Sequence, residues 1–148
     1  MRRAVAGLLF ALVAQSVHVA VAAEFRTVAE EAAVLYDAPS VQSKKLFIVG
    51  QGYPLEIIVV LQGWVKVRDA SGALSWVEAG KVSAKQRMVL VKTPVAQIRQ
   101  AADENSPVVF QAQQNVVMEL TEVTGSWLHV RHRDGASGYI RITQVWGV

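Results

Sequence analysis

Two stretches of the chain alternate apolar and polar residues with a period of two. They are Trp64-Val65-Lys66-Val67-Arg68 and Trp127-Leu128-His129-Val130-Arg131. That period belongs to a strand with one buried face. Each follows a short run rich in β-branched residues, 55–61 and 116–123, across a turn at Gln62-Gly63 or Thr124-Gly125-Ser126. Each leads through an Asp/Gly loop, at 69–73 or Asp134-Gly135, into a return strand at 74–78 or 138–142. Strands of this length with regular turns, and no sustained helical periodicity, predict an all-β chain of small β-barrels.

The pattern occurs twice at one offset of 63 residues, without a gap. Val28 matches Val91, Phe47 matches Phe110, Glu56 matches Glu119, Trp64 matches Trp127, and Gly72-Ala73 matches Gly135-Ala136. A single long offset fits two tandem domains better than a solenoid, which repeats at shorter periods. The polar stretch 83–87 separates them, giving domains at 24–83 and 88–148. Each is near the size at which a lone domain is marginal, so packing between them is expected.

Alternation assigns faces. Val65, Val67, Leu128 and Val130 point to the core, so Trp64, Lys66 and Arg68, and Trp127, His129 and Arg131, share the other face. A hairpin centred on Ser71 sets Lys66 opposite Trp76 and Trp64 opposite Glu78. The same register in the second copy sets His129 opposite Tyr139 and Trp127 opposite Arg141. Aromatics beside cations form a candidate ligand face, with cation–π contacts of about 0.5–1 kcal/mol each. The competing reading is structural: the loop from Tyr36 to Lys45 and its counterpart cover these rings, or the rings pack between the copies. The copies differ in charge, since Glu78 becomes Arg141 and Asp69 becomes His132.

The N-terminus has a basic start at Arg2-Arg3, an apolar run from Ala4 to Ala14, and small residues at Val21-Ala22-Ala23. These are the parts of a cleaved secretory signal peptide, residues 1–23. Gln15, Ser16 and His18 interrupt the run before it reaches the ~20 residues of a membrane span, so no stable membrane anchor is expected. The formal charge of +3 falls to about +1 when Arg2 and Arg3 leave, too little for nucleic-acid binding. There is no cysteine, hence no disulfide and no lipidated N-terminal cysteine. His129 and His132 lack carboxylate neighbours that would complete a metal site, and no nucleophile, base and orienter fall together. Neither cofactor nor metal is expected, and the chain reads as a binder, not an enzyme.

Each copy resembles the bacterial SH3-like domain. The first carries Gly52-Tyr53-Pro54-Leu55-Glu56-Ile57-Ile58, Gly63-Trp64-Val65-Lys66-Val67, Gly72 and Ser75-Trp76-Val77. The second carries Ser126-Trp127-Leu128-His129-Val130, Gly135, Gly138-Tyr139-Ile140 and a closing Val145-Trp146-Gly147. An early Asn-Leu-Arg segment of the family is kept only as Arg99, while Leu35-Tyr36-Asp37 is similar to part of the eukaryotic SH3 signature. The resemblance implies a non-catalytic binding role in a periplasmic or secreted protein. Partners are then a cell-wall glycan or peptide, with peptidoglycan first, or an envelope protein. The candidate ligand-binding residues are Tyr36, Trp64, Lys66, Arg68, Trp76, Arg99, Trp127, His129, Arg131, Tyr139 and Arg141.

Overall fold

A computed structural model describes residues 21–148, so nearly all of the expected signal peptide lies outside the described residues. The first copy contains β1 (Phe25–Val28), β2 (Ala32–Tyr36), β3 (Lys45–Gly50), β4 (Pro54–Leu61), β5 (Trp64–Arg68) and β6 (Leu74–Glu78). A 3-10 turn at Ala79–Lys81 then leads to β7 (Val82–Ser83). The second copy repeats the series as β8 (Met88–Val91), β9 (Val95–Arg99), β10 (Val108–Gln113), β11 (Val117–Thr124), β12 (Trp127–Arg131) and β13 (Ser137–Arg141). Its 3-10 turn, Ile142–Gln144, precedes β14 (Val145–Trp146). Every element of the second copy begins and ends 63 residues after its counterpart, so the sequence offset is also the structural one.

Each copy is one seven-stranded antiparallel sheet, in the order β3-β2-β6-β5-β4-β1-β7 and β10-β9-β13-β12-β11-β8-β14. Pairing ends at β3 and β7, which are not bonded to one another. Yet Val28 of β1, Leu35 of β2, Leu55 of β4, Val65 and Val67 of β5, Val77 of β6 and Val82 of β7 belong to one core cluster. Strands from both ends of the sheet reach that cluster only if the sheet curls around it. The second copy does the same with Val91, Ile98, Met118, Leu128, Val130, Ile140 and Val145. Val65, Val67, Leu128 and Val130 are fully buried, as the alternation requires. No helix among the described residues is long and apolar enough to cross a membrane.

The copies touch through a seam that differs in kind from either core. Trp146 donates its indole N–H to the carbonyl of Pro54 at 3.0 Å and meets Phe25 edge-on, with ring centroids 5.1 Å apart. Thr27 donates its hydroxyl to the carbonyl of Gln86 at 2.9 Å. Gly147, at φ +118°, lies where a β-carbon would come within 2.6 Å of the Met88 carbonyl oxygen and 3.1 Å of Pro54. Only glycine fits that backbone conformation and that close approach.

Candidate functional site

The central hairpins carry the candidate side chains in the expected register. Trp64 faces Glu78 and Lys66 faces Trp76. Trp127 faces Arg141 and His129 faces Tyr139. Directly opposed residues are close enough for side-chain contact, and three of these pairs make one. Lys66 Nζ sits 5.9 Å from the Trp76 ring centre, and the Arg141 guanidinium lies 4.3 Å over Trp127. His129 meets Tyr139 edge-on at 4.9 Å, and its Nδ1 lies 2.6 Å from the Thr121 hydroxyl.

In the first copy the face closes on itself. Tyr36 is 5 % exposed and packs edge-on against Trp64, at 5.5 Å. Arg68 is held by Glu56 at 2.8 Å across the β4–β5 pair. In the second copy Arg99 stands where Tyr36 stands in the first. Its guanidinium donates to the Ser106 carbonyl at 2.8 Å and to the Gln97 side chain at 2.9 Å. Arg141 replaces Glu78 and reaches Glu104 and the Ser126 hydroxyl. Between them lies a polar cleft of about 640 Å³, lined by Gln97, Arg99, Glu104, Asn105, Gln111, Trp127, Arg141 and Gln144 with Val95. Of the candidates, the structure gathers Arg99, Trp127 and Arg141 into this one place.

Of the two readings of the rings, the structural one describes Trp127 and Tyr36. Trp127 does not offer an open aromatic surface: it is 7 % exposed, beneath Arg141. Tyr36 is likewise buried, by Trp64. Both follow from size, since a core this small uses every large ring near it. Arg68 and Arg131 are tied to Glu56 and Glu119, which explains why the arginine and glutamate recur together in both copies. The alternative placement between the copies is also not what Trp64 and Trp127 do. The tryptophan at that seam is Trp146, and its counterpart is Ser83, so the signal available was a large ring at a position where the repeats disagree. The amides of Gln97, Asn105, Gln111 and Gln144 carried no sequence signal; their convergence is a product of folding.

Among the described residues no cluster of metal-ligating side chains occurs. His132 instead pairs with Asp134 at 3.0 Å. The Asp134 carboxyl is held below its usual range, first by the Ala136 backbone N–H and then by His132. The Tyr53 hydroxyl is pushed up, chiefly by burial, although the Ala70 N–H it accepts works the other way.

An antiparallel sheet curled about a small core, repeated at a fixed offset, with its Trp-initiated central strand, defines the class. The bacterial SH3 domain profile matches residues 29–84 and again 92–147. The chain belongs to the bacterial SH3 domain family, as a tandem pair. No curated protein matches the chain. Among solved structures it is similar to NlpC2 from Trichomonas vaginalis, at 13 % identity and a TM-score of 0.38 over 82 % of this chain and 46 % of that one. NlpC1 from the same organism gives 13 % and 0.39, over 89 % and 48 %. An NlpC/P60 family protein from Bacillus cereus gives 14 % and 0.39, over 83 % and 56 %. The chain spans about half the length of these structures.

Proposed function

We propose that this chain is a non-catalytic binding protein of the bacterial cell envelope, two small barrels exported by residues 1–23, whose second copy recognises peptidoglycan. Family membership supports a binding role. The observation that carries the reading is the cleft beside Trp127, where two guanidiniums, a carboxylate and several amides converge on a space of about 640 Å³. A dense set of oriented donors and acceptors suits a ligand rich in amides, hydroxyls and carboxylates, as wall glycan and its stem peptides are. Arg99 is the anion-facing group, held in place by its hydrogen bonds to Ser106 and Gln97, while Arg141 is bonded to Ser126 and paired with Glu104, and meets an anionic ligand by exchanging that carboxylate.

Sedimentation with purified peptidoglycan tests this. The protein is expected to pellet with the polymer well above a control protein of similar charge. Absence of pelleting rules out wall binding.

A second reading, an adaptor for an envelope protein, is favoured by one feature of the first copy. The end of β4 carries Ile58, Val59, Val60 and Leu61, all exposed. Pairing with β1 stops at Glu56, and the last bond on that side is from the Ile57 N–H to Glu24. A crosslinked partner lost on Val60→Lys, with the fold intact, would favour the adaptor.

A further inference from the structure

The seam between the copies opens on one side into a cleft of about 1200 Å³. Its floor is apolar, with Val28 from the first copy and Met88 and Val117 from the second. Its charged groups are Lys85 from the linker, Arg131 from the end of β12, His132 and Arg133 from the β12–β13 loop, and Glu31 and Glu119. Arg131 is spent on Glu119. Lys85 and Arg133 make no ion pair among the described residues.

The duplication shows that these cations are not needed for the loop. Both copies close the hairpin with the same backbone bonds: Asp69 N–H to Ala73 and Gly72 N–H to Asp69 in one, His132 N–H to Ala136 and Gly135 N–H to His132 in the other. In the first copy a buried Asp69 accepts from the Ser71 N–H, the Ser71 hydroxyl and the Ala73 N–H. In the second the acid has moved two places along, to Asp134, which accepts from the Ala136 N–H. That shift leaves His132 where the first copy has Asp69, and the next position carries Arg133 where the first copy has Ala70. The change falls on the one β5–β6-type loop that lines the cleft.

We propose that the cleft between the copies is a second binding site, for an extended chain bearing anionic oxygens, with Lys85 and Arg133 as its contacts. The apolar floor accepts the chain's backbone or methylene groups, and the two unpaired cations take its charged groups. The site needs both copies in their fixed relation, which Trp146 and Gly147 maintain.

Calorimetric titration of the protein at low salt with a pentaglutamate peptide and, separately, inorganic triphosphate tests this and identifies carboxylate or phosphate as the preferred group. Saturable one-to-one binding of at least one probe is expected. The Lys85→Gln/Arg133→Gln double variant should bind at least tenfold more weakly, while Lys44→Gln/Lys45→Gln, remote from the cleft, should bind as the parent does. Absence of saturable binding to both probes overturns the proposal. So does equal weakening by the Lys44/Lys45 variant, which would mean non-specific attraction.

Discussion

The two copies share every strand boundary and differ in what they do with their surfaces. Where the first places Tyr36 against Trp64 and closes the face, the second places Arg99, Glu104 and Arg141 around Trp127 and leaves a polar cleft. Where the first ends β4 in Ile58-Val59-Val60-Leu61, the second ends β11 in Thr121-Glu122-Val123-Thr124. A glutamate on an unpaired edge discourages strand addition, and an apolar edge does not. The core fixes the fold and changes little between copies, whereas the same framework supports surfaces of opposite character. The proposed recognition therefore rests on the departures from the repeat, not on the repeat itself.

The largest expected effect tests the seam that joins the copies. Trp146→Ala removes a half-buried ring and its bond to Pro54, and should cost about 2 kcal/mol, below the 3–5 kcal/mol typical of a fully buried tryptophan. Urea unfolding of the variant should then separate into two transitions. A single unchanged transition would show that the copies are not coupled through this residue.

An effect of comparable size, with opposite signs in the two copies, is expected at Ser75 and Gly138, which are counterparts. A β-carbon at Gly138 would lie 2.6 Å from the Arg99 carbonyl oxygen and from Ile98. Gly138→Ala should therefore destabilise by about 1–3 kcal/mol, as overpacking does. Ser75 already has the β-carbon, and its buried hydroxyl lacks a hydrogen-bond partner among the described residues. Ser75→Ala removes that unsatisfied group and should stabilise by about 1 kcal/mol. Equal effects at both sites would mean the two β-sheets pack alike there.

The smallest effect concerns the loop acids. Because the folded Asp134 carboxyl titrates below its unfolded value, its contribution is complete above the unfolded value and disappears as the pH falls through the folded one. Wild type and Asp134→Asn should thus differ slightly at neutral pH and converge in acid. An NMR titration giving Asp134 an ordinary aspartate midpoint would remove the basis for this.

Much of this architecture was readable from the chain. Alternation at Val65, Val67, Leu128 and Val130 found the core face, and the loop centred on Ser71 set a register that the structure reproduces residue for residue. Those features are local, and a one-residue slip would turn the whole core face outward. The pairing of Trp127 with Arg141 followed from the register, and cover by the loop after Arg99 was one of the two readings of the rings; the bond from Arg141 to Glu104 of that loop was not readable, because the two are distant in sequence. Nor was the role of Trp146, whose partner Pro54 lies in the other copy. Neutral amides such as Gln97 and Asn105 acquire meaning only once several of them share one cleft.

The central claim is that recognition belongs to the second copy. Sedimentation with peptidoglycan of the parent, Arg141→Gln and its counterpart Glu78→Gln tests it most directly. The parent and Glu78→Gln should pellet alike, and Arg141→Gln should remain largely in solution. Equal pelleting of both variants, or loss on Glu78→Gln alone, would contradict it.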